Sequence, residues 1–537
     1  MCSLAKSFFC VLLHWIILFF CLNMKFPIGI QGFDKLRREG LVYVDKTAYI
    51  YRLVSQSMYF FLSRPRRFGK SLLLSTIEAY FLGKKDLFKG LALEQLEAEW
   101  NEHAVLHIDL NAERYSNADE LVNILDTYLR GWEEKYGSTE RNNPSLSRRF
   151  MAVIKAAKEK TGRNVVVLID EYDKPILQAI GNESLQVELR NILKAFYGTL
   201  KSADGDLRFV LLTGVTKFGK VSVFSDLNNL NDISIDAEYS GICGITEEEL
   251  HDVFDEEVAA LALENSQTKE EAYEELRRRY DGYHFAANVP GVYNPFSVLN
   301  TLLKKEYRNY WFSTGTPTYL VELLKENNIQ LVDLPGYETT GDALDSIQLS
   351  VPNPIPVLYQ SGYLTIKDFD SELKLYTLDF PNEEVESAFV NFLVPMYTPV
   401  PESESYAFIG KFVREVRAGK VDDFMHRLKV LMADTPYEII KDLENHYQNV
   451  MFIFTKLMGL YTQVEYRTSY GRIDLLIGTD KFVYVIELKL DGTAEEALAQ
   501  INSKEYSLPF TADERTVVKI GANILRETRN LERWVVE

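Results

Sequence analysis

The apolar positions of the chain fall into short dense runs separated by stretches with helical spacing. Tyr59-Phe60-Phe61-Leu62, Val105 to Leu110, Asn164 to Asp170 and Arg208 to Thr213 are dominated by aliphatic and aromatic residues. Runs of that kind fit strands buried on both faces, as in a parallel sheet covered by helices. Ser116 to Tyr136 and Leu146 to Glu159 supply helical stretches between them, so the pattern predicts a βαβ series. Upstream, residues 29 to 57 predict a turn, a short strand around Tyr43-Val44-Asp45-Lys46 and a helix.

The first dense run breaks at Ser63 to Gly69, after which Lys70-Ser71 open an amphipathic helix. Strand, loop, Gly-Lys-Ser and helix are the context of a phosphate-binding loop, whose backbone N–H groups and helix N-terminus cradle phosphate. Lys70 would reach the terminal phosphates of ATP, and the Ser71 hydroxyl would sit on Mg2+. The pattern G-x-x-x-x-G-K-[ST] calls for glycine at 64, where this chain has Arg64. Arg66 and Arg67 add cations that can pair with phosphate or with a partner's acids. Arg64, Arg66, Arg67, Gly69, Lys70 and Ser71 are thus the nucleotide-binding candidates, against the plainer reading of a basic turn before an ordinary helix. The residues 29 to 57 would cover one edge of the nucleotide.

VVVLIDEYD places acids at a strand end. Asp170 there can hold the Mg2+ through water and Glu171 can polarise the attacking water; the alternative is a pair of solvent-facing caps. Thr213 ends the next strand, where a polar group can sense the terminal phosphate. Lys217 and Lys220 read equally well as solvated loop charge or as phosphate contacts. Thr246 to Tyr280 reads as two acid-rich helical segments, and His284 beyond them as structural. Residues 310 to 382 read as a helical and β-rich unit ending in a hairpin about the Asp-rich turn 368–371, and Pro399 to Ser405 as a joint.

The last domain carries a second constellation. Glu444 lies in a helix from about Tyr437 to Met458, followed by two strands, VEYRTSYGRIDLLIG and KFVYVIELKLDG, with a turn at Gly478-Thr479-Asp480. Glu487 and Lys489 are two apart in the second strand and share a face. A charged pair flanked by aliphatics needs a reason. Metal-assisted phosphodiester hydrolysis supplies one: Asp474 and Glu487 would bind a divalent metal, with Glu444 completing the cluster. Lys489 would position water and stabilise negative charge. Gln500, on the helical stretch AEEALAQINSK, would point at the same site. The plainer reading is a surface salt bridge on an edge strand.

With 537 residues, 46% apolar and 26% charged, the chain is long enough for two or three globular domains. A net charge of −19 argues against non-specific coating of nucleic acid. Cysteines stand at 2, 10, 21 and 243, too few after Met24 for a disulfide framework, which suits a reducing compartment. Phe8 to Leu22 is a nearly continuous apolar run, short for a spanning helix, which takes about 20 residues. It reads as upstream sequence before a start at Met24, or as a signal or anchor.

RPRRFGKS with YVDKT before it, LIDEYD after it, and GRIDLLI, YVIELKL, ALAQI and KEY near the end resemble a bacterial family. That family pairs an AAA-ATPase-like domain with a C-terminal PD-(D/E)xK nuclease-superfamily domain. The resemblance runs from Met24 to the end, and arginine at the position of Arg64 is usual in it. It implies nucleotide-site roles for Lys70, Ser71, Asp170 and Glu171. It implies nuclease-signature roles for Asp474, Glu487, Lys489 and Gln500, with Glu444 as an addition. The expected fold class is α/β: a P-loop NTPase parallel sheet, a helical and small α+β middle region, and a C-terminal restriction-endonuclease-like domain. The expected divisions are 1–23, 24–300, 301–400 and 401–537. Expected cofactors are ATP and Mg2+. Expected partners are DNA or RNA and a second copy of the chain, with a membrane only if residues 8–22 are retained; the expected compartment is the cytoplasm. The working function is an ATP-controlled, metal-dependent nuclease. The rivals are an ATPase whose last domain only binds nucleic acid or protein, and a membrane-tethered signalling ATPase.

Overall fold

The computed structural model describes residues 24–138, 140–217, 230–311, 320, 324, 331–345, 353–397, 402–433, 450, 453, 456, 461–468, 471–510 and 514–537. The chain forms two compact units, Met1–Leu323 with Glu338–Glu383 and Leu324–Tyr337 with Glu384–Glu537. The Phe8–Leu22 run and Glu444 lie outside the described residues. Among the described residues no helix is long and apolar enough to cross a membrane.

The first unit is built on a parallel five-stranded sheet. Helix α1 (Thr47–Gln56) leads into β1 (Tyr59–Ser63), and α2 (Lys70–Phe81) follows the loop. Then come β2 (Val105–Asp109), α3 (Ala118–Tyr136), α4 (Leu146–Thr161), β3 (Val165–Asp170), α5 (Glu183–Ser202), β4 (Leu207–Gly214) and β5 (Asn231–Asp232). The strand order is β2-β3-β4-β1-β5, with β4 inserted between the strand that feeds the loop and the strand that ends in Asp170. β1 and β3 are buried along their whole length, as their unbroken apolar runs require. The helix ends are set locally. Asn117 and Glu120 form a capping box at the start of α3, while Ser145 and Asn182 cap α4 and α5.

One sequence expectation fails here. Tyr43 to Lys46 does not form a strand. Asp45 accepts the Thr47 N–H and hydroxyl at 2.8 and 2.7 Å, which turns the chain directly into α1. Beyond the sheet, α6 (Glu247–Glu264), α7 (Lys269–Tyr280) and α8 (Pro295–Lys304) close on a shared core around Phe254, Leu261, Tyr280 and Val298. Met24 and Phe26 pack against that core. Helix α9 (Pro354–Ser361) precedes the antiparallel hairpin of β6 (Thr365–Asp370) and β7 (Leu375–Asp379); the hairpin is the expected one, but its turn lies at 371–374, because Asp368, Phe369 and Asp370 are still paired across the strands.

The second unit carries α10 (Glu402–Arg417) and α11 (Val421–Ala433), then β8 (Tyr461–Thr468), β9 (Gly471–Gly478) and β10 (Phe482–Leu490). Helix α12 (Ala494–Ser503), β11 (Thr516–Leu525) and β12 (Asn530–Val536) complete it. The stretch expected as a single strand, 464–478, is a hairpin instead, with Gly471 opposite Thr468. Helix α10 starts at Glu402, inside the stretch expected as a joint. The sheet order is β12-β11-β10-β9-β8. Only β10 and β11 pair in parallel, joined by the crossover helix α12. Phe412, Phe424, Tyr484 and Ile520 fill one core; Ile473, Val485, Ile501 and Tyr506 fill another.

The seat of α12 depends on Gly521. A Cβ at this position would collide with the Ala494 carbonyl and the Leu498 amide of the helix. Because the obstruction is backbone, the helix itself would have to move. Gly521→Ala is therefore expected to destabilise the second unit by about 1–3 kcal/mol, read as a lower guanidinium midpoint followed by the fluorescence of Trp534.

Candidate functional site

The C-terminal ends of β1, β3 and β4 gather the first set of polar residues. Gly69, at φ +97, turns the loop into α2, so that Lys70 and Ser71 occupy the first turn of the helix. The Ser71 hydroxyl donates to Asp170 Oδ2 at 2.5 Å and the Thr213 hydroxyl donates to Asp170 Oδ1 at 2.6 Å. Asp170 is 3% exposed. Lys70 Nζ donates to the Arg64 and Pro65 carbonyls at 3.0 and 3.3 Å and lies 3.4 Å from Glu171 Oε1. Glu171 adopts φ +53, a left-handed conformation that costs a non-glycine residue about 1–3 kcal/mol. Such strain persists only where neighbours impose it.

The arginines of the loop divide. Arg64 is 1% exposed, and its guanidinium donates to the Ser63, Ser234 and Tyr239 carbonyls at 2.9, 2.7 and 3.1 Å. The same group lies over the Phe285 ring, 4.1 Å from its centre. Arg64 thus braces the loop from inside through both terminal guanidinium nitrogens, a structural role where a phosphate contact was expected, while its Nε has no hydrogen-bond partner among the described residues. Arg67 is exposed, holds φ +131 and places its guanidinium over Phe296. Arg66 is exposed, and its carbonyl accepts the Trp311 indole N–H at 2.7 Å. Lys217 is neither a solvated charge nor a phosphate contact: its ammonium is buried against Asp232 at 2.9 Å and Asp345 at 2.5 Å. Lys220 lies outside the described residues.

In the second unit, Leu475 pairs with Ile486, so Asp474 on β9 and Glu487 on β10 face each other one step along. Asp474 Oδ2 accepts the Leu488 N–H at 2.8 Å. Glu487 is 2% exposed, and its Oε1 accepts the Gln500 amide. Lys489 Nζ donates to Gln500 Oε1 at 2.5 Å and sits 3.4 Å from Glu487 Oε1. The four expected residues therefore converge. Burial and the charge of Asp474 push the Glu487 carboxyl up to about 7. Its second oxygen, Oε2, is buried without a hydrogen-bond partner among the described residues. An orphaned carboxylate oxygen opposite a second carboxylate fits a divalent cation, which would supply the missing partner. Among the described residues no group of three or more His, Cys, Asp and Glu is assembled, and Glu444 lies outside them.

Comparison with known proteins finds a family match in each unit. Residues 27–224 match the family described as predicted AAA-ATPase, and residues 442–534 match the PD-(D/E)XK nuclease superfamily. An uncharacterized protein from the vnfD 5' region of Azotobacter chroococcum mcd 1 is 35% identical over 528 residues, covering 96% of this chain and 99% of the relative. The chain belongs to this AAA-ATPase-like and PD-(D/E)XK family. A likeness to the structure of the Aeropyrum pernix ORC1 protein in complex with DNA covers 64% of this chain and 90% of that one, at 14% identity and a TM-score of 0.22.

Within the AAA-ATPase-like unit, sequence reasoning overlooked Asp173. It is fully buried, accepts the Thr216 N–H and hydroxyl at 2.7 Å each, and is raised to about 6 by burial and the charge of Glu171. Its signal was present as the second aspartate of LIDEYD.

The raised Glu487 carboxyl makes a stability prediction. Its ionisation costs the metal-free fold most above about pH 7, and the cost fades as pH falls toward the unfolded value of 4.5. Glu487→Gln is expected to raise the melting free energy at pH 8 by up to about 3 kcal/mol, a gain that shrinks toward pH 4.5. Calorimetry across that range checks it, and added Mg2+ should stabilise the parent chain more than the variant.

Proposed function

We propose that the chain binds and hydrolyses ATP in its first unit and uses this to control a metal-dependent nuclease in its second. The observation that carries the first half is the convergence of Ser71 and Thr213 on the Asp170 carboxylate, beside the lysine of a Gly-Lys-Ser loop. Ser71 and Asp170 would hold Mg2+, which supplies charge neutralisation to the phosphates. Lys70 would exchange its carbonyl partners for the terminal phosphate, releasing Glu171 to orient the attacking water. Arg66 and Arg67, on the exposed side of the loop, can meet further phosphate oxygens.

The base would sit in a neighbouring pocket. An apolar pocket beside Gly69 is lined by Val42, Tyr43, Val44, Phe68, Leu72 and Ile242. Lys46, also on its wall, is tied to the Gly241 carbonyl at 2.7 Å and to Glu249 at 2.6 Å. The apolar lining can pack against the flat face of a purine base. In this reading residues 42 to 46 would cover one edge of the nucleotide.

In the second unit Asp474 and Glu487 would hold a divalent metal, with Glu444 as a further ligand. The metal supplies polarisation of the phosphodiester and an activated water. Lys489 would stabilise the developing negative charge, and Gln500 would hold Lys489 and Glu487 in register. DNA or RNA is the substrate class. The buried thiol of Cys243 and the absence of cysteine elsewhere after Met24 suit the cytoplasm.

The test incubates the full chain with Mg2+ or Mn2+ and a panel of DNA and RNA, with and without ATP. Lys70→Ala is expected to lower ATP turnover roughly 10²–10³-fold, and Glu487→Ala to lower cleavage by a similar factor. Cleavage indifferent to Glu487→Ala would overturn the nuclease assignment. ATP hydrolysis without cleavage would leave a nuclease fold used only for binding.

A further inference from the structure

A closed circuit of contacts joins the phosphate loop to a helix outside the sheet. Gly362, at φ +87, ends α9 against Pro65 of the loop, so closely that a Cβ there would lie 2.7 Å from the proline ring. Near the end of α9, Gln360 accepts the Lys217 N–H at 2.6 Å and donates to the Leu344 carbonyl at 2.6 Å. The Lys217 ammonium reaches Asp232 at 2.9 Å and Asp345 at 2.5 Å. Thr216, one residue earlier, holds the Asp173 carboxylate through its N–H and hydroxyl, and Val215 N–H adds a third bond at 3.3 Å. Asp173 belongs to the turn that carries Glu171, closed by the Lys174 N–H donating to the Glu171 carbonyl at 3.0 Å. Glu171 faces Lys70, and Lys70 donates back to the Pro65 carbonyl.

The energetics single out Lys217. Its side chain is 2% exposed, and removing an ammonium from water costs several kcal/mol unless it is paired. Two carboxylates from separate segments meet that cost, so the ammonium fixes the end of β5, the Leu344–Asp345 segment and the loop after β4 together. Thr216 is anchored by its neighbour, and Asp173 by Thr216. A phosphate that draws Lys70 from Pro65 and Glu171 therefore acts on both ends of the circuit at once.

We propose that Lys217 is a positioning residue for the Glu171 turn, through which α9 responds to phosphate in the loop. This rests on reading the loop as an ATP site. The experiment measures ATP affinity, steady-state turnover and amide hydrogen exchange of residues 354–362 with and without Mg-ATP, in the full chain, Lys217→Met, Lys217→Arg and Gln360→Met. In the parent, ATP should change exchange across 354–362. Lys217→Met should keep ATP affinity within about threefold, lower kcat roughly 10- to 100-fold and lose the exchange response, with Lys217→Arg recovering much of both. Gln360→Met keeps the ion pairs and should weaken the response, which preserves the test if Lys217→Met fails to fold. Parent-like turnover and exchange in Lys217→Met or Gln360→Met would overturn the inference, as would loss of affinity and turnover together without rescue by arginine. A parent that binds ATP without any exchange response overturns the inference alone; one that binds no ATP removes the site reading and the inference with it. If ATP binds but is not hydrolysed, the exchange arm still decides.

Discussion

The first unit depends on a single carboxylate held from two sides. Asp170 stands at the tip of β3, while the groups that bond it come from α2, after β1, and from the end of β4. Two short hydrogen bonds thus tie three adjacent strand tips to one side chain. A parallel sheet leaves its strand tips as a row of separate loops, and only cross-links of this kind give them a shared geometry. The buried position of Asp170 makes the arrangement exacting, since an unpaired carboxylate there would be costly.

The second unit reaches its geometry by a different route. Asp474 and Glu487 are brought together by strand pairing, and Lys489 by the two-residue repeat of β10. Gln500 comes from a helix, and only the close seating of α12 on β11 at Gly521 lets it meet the other three. The polar set is therefore partly written in the sheet and partly conditional on one backbone approach. Glu487 remains strained electrostatically, buried beside a like charge, so its ionised form is held in place at a cost to the fold.

Local pattern carried much of this. The dense apolar runs located β1 to β4, because a strand buried on both faces has little freedom in composition. The loop, the acids of LIDEYD and the Glu487–Lys489 pair were legible for the same reason: each needs its residues close in sequence. What escaped depends on distance. Lys217 read equally as a loop charge or a phosphate contact because one of its two carboxylate partners, Asp345, is 128 residues away. The role of Arg64 required Ser234, Tyr239 and Phe285 to be in view. The strand expected at Tyr43 was overruled by the Asp45 side chain, and the single strand expected over 464–478 by the pairing of its two halves as β8 and β9.

Arg64 also changes what it means for a motif to deviate from its general form. Glycine at 64 would match the widespread phosphate-loop pattern more closely, yet here it would empty the space filled by a guanidinium. Three carbonyls would lose their donor and an aromatic face its cation. The general pattern and this fold are thus alternative solutions to shaping the same loop, one by backbone freedom and one by an internal strut. Moving the chain toward the consensus would take it away from its own native state.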